Sequence, residues 1–130
     1  MDVLLSIKPR YVKSIIDGEK RYEFRKKVFR SPSVSRVLIY SSSPVKKIVA
    51  SFEVGKILED RPENLWENVK DYAGIDDRDF FEYFAGKTRA FAIEILDLQE
   101  FAEPIDPRDA MPDFVPPQSY CYVDKVKLEE

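Results

Sequence analysis

The sequence contains no histidine, a single cysteine and only four glycines among 130 residues. Without imidazole there is no Ser-His-Asp or Cys-His nucleophile system and no histidine metal ligand, so acid–base work falls to Glu, Asp, Lys or Tyr. The lone thiol, Cys121, excludes an internal disulfide and a cysteine-rich zinc site. No loop has the Asp/Asn ladder with a central Gly and a terminal Glu that calcium loops use, so neither a metal nor another cofactor is expected. Apolar runs stay well short of the roughly 20 residues a membrane helix needs. After Met1 the chain meets Asp2 and then Lys8, unlike a secretory signal, so a cytoplasmic protein with no membrane partner is expected.

Aromatic and charged residues, by contrast, are plentiful. Seventeen Phe, Tyr and Trp residues bury enough surface to offset the entropy of ordering, which excludes intrinsic disorder. At this length one core is feasible and a second is not, so residues 1–130 are expected to form one domain, with its core over 3–123 and a frayed tail at 124–130. The net charge of −3 averages two unlike parts. Residues 1–50 hold twelve Lys/Arg and four Asp/Glu, a net +8, whereas residues 51–130 hold nine and twenty, a net −11. A basic first part in an acidic chain predicts a local anion-binding face, the acidic remainder limiting indiscriminate attraction. Ordinary solvated Lys and Arg side chains are the alternative.

Val3-Leu4-Leu5-Ser6-Ile7-Lys8 reads as a buried first strand. Pro9 then opens a short helix whose stripe is Val12, Ile15 and Ile16, closed by Gly18. In Arg21-Tyr22-Glu23-Phe24-Arg25 a strand places Tyr22 and Phe24 on one face and Arg21, Glu23 and Arg25 on the other. Further strands are expected at 36–40 and 47–54, paired with each other, and at 89–96 and 120–123, with helices over 62–72 and from Asp76 or Asp77 through Phe84 to Gly86. The five prolines between Glu103 and Pro117 predict an extended, functional or packed connection. About six strands and three short helices suggest an α+β fold, a small closed barrel flanked by helices.

The densest polar constellation is Gly18-Glu19-Lys20-Arg21-Tyr22-Glu23-Phe24-Arg25. A turn led by Gly brings Lys20 beside the strand face of Glu23 and Arg25, a cation–carboxylate–cation cluster at the barrel rim. Guanidinium and carboxylate complement base edges, and Arg and Tyr offer planes for stacking. An exposed ion-pair ladder, worth roughly 0–1 kcal/mol, is the alternative. The aromatics Trp66, Tyr72, Phe80, Phe81, Tyr83 and Phe84 lie at helical spacing and are expected to be mostly core. Tyr120 and Tyr122 share a strand face that either lines the cleft or, more simply, packs, and Cys121 points the other way as an inert buried thiol. The acidic run 59–79 is expected to be a solvated helix surface or to face a protein partner.

Four ordered elements carry a resemblance: Leu5-Ser6-Ile7-Lys8-Pro9, then Gly18-x-Lys20-x-x-Glu23-x-Arg25, then Ile39-Tyr40-x-Ser42-x-Pro44-Val45-x-x-Ile48, then Pro117-Gln118-Ser119-Tyr120. Together they resemble ASCH domains of the PUA-like superfamily, over nearly the whole chain. The resemblance implies a small mixed β-barrel of five to six strands with a cleft against the first helix. It also implies binding of RNA or another nucleic acid, in a transcriptional or translational regulatory role. Carried over, the cleft positions are Lys8, Lys20, Glu23 and Arg25, with Ser42 and Gln118 as further candidates. Lys8 and Lys20 would contact phosphate or a base carbonyl. Arg25 would contact phosphate or orient Glu23, and Glu23 would accept from an exocyclic amine. For Ser42 and Gln118 a serine-proline turn and a polar strand start are equally ordinary explanations.

Some small members of the family deacylate N4-acetylated cytidine with a Lys, a Thr nucleophile and a distant Glu. Here Lys20 fits the first position and Glu23 stands in place of the threonine, so a covalent mechanism of that kind is not implied. The expected function is therefore a nucleic-acid-binding module for RNA or single-stranded segments. A small hydrolase of amidohydrolase or nuclease type, using Glu23 and Lys20, is the first alternative, and a protein-interaction adaptor the second.

Overall fold

In the computed structural model, which describes residues 1–31 and 33–123, the apolar N-terminal run forms β1 (Asp2–Ile7), with Val3, Leu4 and Leu5 shielded from solvent. Pro32 and the tail expected at 124–130 lie outside the described residues. Lys8 stands at the N-terminal boundary of α1 (Pro9–Ile16), where Pro9 fits because the first helical N–H has no partner to lose. Val12 and Ile15 turn inward from this helix. The chain continues through β2 (Tyr22–Arg25), β3 (Arg36–Ser41) and β4 (Lys47–Asp60). Then come α2 (Pro62–Val69), a 3-10 turn (Lys70–Tyr72) and α3 (Asp77–Tyr83), whose N-cap Asp76 accepts from the Asp79 N–H. After β5 (Ala90–Ile105), α4 (Pro107–Ala110) and β6 (Cys121–Val123) complete the described chain.

The strands form one mixed sheet in the order β2-β5-β4-β3-β1-β6. β1 and β3 run parallel, and β3 pairs antiparallel with β4 as expected. The expected closed barrel is not formed: β2 lies at one edge of the sheet and β6 at the other. With four and three residues respectively, these edges are too short to zip together. A side chain bridges the gap instead, Arg25 Nη2 donating to Ser6 O (2.8 Å) and Nη1 to Ser119 O (3.2 Å). Backbone from β1 and from the approach to β6 is thereby tied to the end of β2.

Two strands run further than their sequence suggests, β4 to Asp60 and β5 to Ile105. Their pairing shifts register between Val54 and Ile57, so the polar Gly55-Lys56 step is a bulge and not a strand end. A Cβ at Gly55 would collide with the Glu94 carboxylate, which accepts the Lys56 N–H at 2.9 Å. The proline-rich connection is also shorter than expected, since Pro104 lies within β5 and Pro107 opens α4. It is packed: Phe101, Ile105, Met111 and Phe114 cover buried Leu4, Leu38, Tyr40 and Ile48. A second apolar cluster joins α1 to the sheet, and a third joins α2 and α3 to Phe24, Ala90 and Ala92. The third leaves β2 between two helical units.

Candidate functional site

A cleft of about 490 Å³ opens between α1, β2 and α3. Lys8, Lys20, Glu23, Arg25 and Gln118 all line it, five of the six positions singled out in the sequence. Ser42 does not. Its N–H donates to Ile7 O (2.9 Å) and its carbonyl accepts from Val45 N–H (3.1 Å), so it shapes the turn between β3 and β4.

The floor is a buried charge cluster. Arg25 donates to Glu23 Oε2 through Nη2 (2.7 Å) and Nε (2.9 Å), leaving Oε1 with Lys20 Nζ at 3.9 Å. Lys20 is 3% exposed and Glu23 6%. The ammonium donates to Ala73 O at 3.0 Å and lies 4.3 Å from the centroid of the Phe24 ring. Burial pulls the Lys20 pKa down to about 8; Glu23 opposes the shift and Arg25 adds to it. Of the roles considered for Arg25, the geometry displays the orienting of Glu23.

Lys20 is held in place by a distant stretch of chain. After the 3-10 turn, Tyr72 O accepts the Arg21 N–H (2.8 Å) and Ala73 O accepts from Lys20 Nζ. Gly74 follows with φ +64°, and a Cβ there would collide with the Lys20 side chain. Glycine satisfies both demands, the left-handed backbone and the close approach.

The cleft walls differ in charge. On the α1 side are Lys8 and Arg10, the latter with its guanidinium 4.7 Å from the Tyr11 ring centroid and Nη2 donating to Tyr11 Oη at 3.0 Å. On the α3 side are Asp79, Glu82 and Tyr83. With Glu23, three carboxylates face four cations, so the expected cationic cleft carries an acidic wall as well. Sequence reasoning missed Arg10, Tyr11, Asp79, Glu82 and Tyr83. The available signal was the 79/82/83 spacing, which sets one polar helix face, and it was read instead as solvated surface and core. Phe80 and Phe84 are indeed buried, while Tyr72, Phe81 and Tyr83 are exposed.

Tyr120 packs edge-on against Phe29, with ring centroids 6.1 Å apart, and neither it nor Tyr122 lines the cleft. Cys121 is half-buried, and burial raises its thiol pKa. Among the described residues no group of three or more Cys, Asp or Glu is placed to hold a metal, and no helix is long and apolar enough to cross a membrane.

Comparison with known proteins adds to this geometry. A relative from Zymomonas mobilis named ASCH domain-containing ribonuclease is 26% identical over 135 residues, covering 99% of this chain and 88% of its own. The crystal structure of ASCH from Zymomonas mobilis matches with a TM-score of 0.88 at 28% identity, covering 97% of this chain and 90% of that one. A tyrosine-to-phenylalanine variant of that protein gives a TM-score of 0.87 at 27% identity, covering 97% and 92%. The shared architecture is the PUA-like α+β fold, and in this chain the sheet is left open. The ASCH domain family model matches residues 5–105, and the chain belongs to the ASCH family.

Proposed function

We propose that this protein binds RNA in the cleft between α1 and α3 and cleaves it there without a metal. The observation that carries the proposal is the buried Lys20–Glu23–Arg25 cluster on the cleft floor. The relative named a ribonuclease, aligned over nearly the whole chain, supports the substrate class. Lys8 and Arg10 on the α1 wall suit phosphates, and Gln118 suits a base or sugar edge.

The floor supplies an acid and a base. Glu23 Oε1, free of Arg25, takes the proton of a ribose 2′-hydroxyl, and that oxygen attacks the adjacent phosphorus. The bond from phosphorus to the 5′-oxygen breaks, and the leaving oxygen takes a proton from the Lys20 ammonium. The products are a 2′,3′-cyclic phosphate and a 5′-hydroxyl. A lysine with its pKa lowered to about 8 is a better acid at neutral pH than an ordinary one. Arg25 keeps Glu23 aimed.

The test is incubation of end-labelled single-stranded RNA with the purified protein in EDTA. Cleavage leaving cyclic phosphate ends is expected, with Glu23→Gln and Lys20→Met each reducing the rate by about 100-fold or more. Cleavage abolished by EDTA, or unaffected by both substitutions, rejects the mechanism. A non-cleaving regulatory reader of RNA is the second reading, favoured by the bonds that commit Arg25 to Glu23, Ser6 and Ser119. It predicts binding without cleavage, weakened by salt with a log–log slope of about −0.7 per phosphate contact.

A further inference from the structure

We propose that the cleft selects bases carrying an exocyclic amine over uracil, through Asp79 and Glu82 on α3, a selectivity that rests on RNA being the ligand. The two acids are three residues apart on one helix face, and both line the cleft. Glu82 has a loose partner in Arg78, at 3.7 Å on the exposed side of the helix. The Asp79 carboxylate is half-buried and has no cationic or hydrogen-bonding partner among the described residues.

Although the Lys26 ammonium lies 4.7 Å from the Tyr83 ring centroid, the Asp79 and Glu82 carboxylates make this wall less favourable to a phosphate than Lys8 and Arg10 across the cleft. That polarity orients a nucleotide with its phosphate toward α1 and its base toward α3. A base seated against carboxylates strips water from acceptors and must return hydrogen-bond donors. Adenine, cytosine and guanine each bring an amine with two N–H groups. Uracil brings one N–H flanked by two carbonyl oxygens, which set acceptor against acceptor. Tyr83 on the same helix is 38% exposed at the cleft wall and gives the base an aromatic neighbour.

Fluorescence anisotropy with labelled 2′-O-methyl decamers of A, C and U, which cannot be cleaved through the 2′-oxygen, measures the selectivity. The A and C decamers are expected to bind about tenfold more tightly than U, within the range that one specific base contact provides. Replacing adenine with N6,N6-dimethyladenine, which keeps the ring and removes both donors, should bring affinity down to that of U. The Asp79→Asn/Glu82→Gln double variant should bind U more tightly and reduce the A-to-U ratio to near one. Both side chains are partly exposed, and an unchanged thermal melt confirms that this variant is folded. Equal affinities in the wild type, or a ratio that survives the double variant, overturn the selectivity while leaving RNA binding intact. Binding of no decamer, or binding indifferent to Arg10→Glu, instead overturns the RNA reading itself.

Discussion

Among the described residues, two ion-paired groups involve carboxylates shielded from solvent, and they are built differently. Asp2 and Arg36 face each other directly in the parallel register of β1 and β3, with Arg36 Nη2 donating to Oδ2 at 2.6 Å and Nε at 3.2 Å. That pair borders neither the cleft nor the other described cavity. On the cleft floor two cations share the one carboxylate of Glu23, and the cluster faces 490 Å³ of open space. The first arrangement closes a ladder. The second gathers two cations around one carboxylate beside a cleft, the kind of placement that the proposed chemistry needs.

Removing the arginine from each pair separates them most sharply. Arg25→Met leaves Glu23 buried beside Lys20 and releases two backbone carbonyls, so a loss of about 3–5 kcal/mol is expected in urea unfolding. Equal losses from Arg25→Met and Arg36→Met would erase the distinction. The next largest effect is the pH dependence that Lys20 adds. Its folded pKa of about 8 lies below the 10.5 of an unperturbed lysine, so between these pH values the unfolded chain holds more protons than the native one. Native stability should therefore rise with pH across that window, by about 3 kcal/mol from this group. In Lys20→Met that part of the rise should vanish, as seen by comparing unfolding of the two proteins at pH 7.5, 9 and 10.

Arg36→Met comes third. Its side chain is 27% exposed, so solvent reaches the pair, and a loss of about 1–2 kcal/mol is expected. The smallest effect belongs to a buried polar group. Among the described residues the Tyr40 hydroxyl is enclosed without a hydrogen bond, so Tyr40→Phe should be neutral or stabilising by up to about 1 kcal/mol in a thermal melt. A clear destabilisation would reveal a partner for that oxygen.

The floor of the cleft was legible in the sequence because its members lie within six residues. Lys20, Glu23 and Arg25 follow one turn and one strand, and local periodicity is enough to put them together. The α3 wall was not legible, because Asp79 and Glu82 reach Glu23 only through the order of the sheet, in which β5 carries β2 against the α2–α3 unit. Gly74 was obscure for the same reason: its left-handed backbone is readable as a turn, but its contact with Lys20 spans more than fifty residues. The strands were recognisable from apolar patterning, while bulges extended β4 and β5 through residues that look like strand ends. Barrel closure failed on an energetic detail that hydropathy does not record, the replacement of backbone pairing by one guanidinium.

That guanidinium also limits how the protein can change. Because Arg25 ties the sheet edges and holds Glu23, replacing it would remove both sets of bonds at once. Variation has cheaper routes at the rim, where Arg10 and Glu82 are exposed and Asp79 is only half-buried. Diversification among such proteins should accordingly leave the floor standing and rewrite the walls.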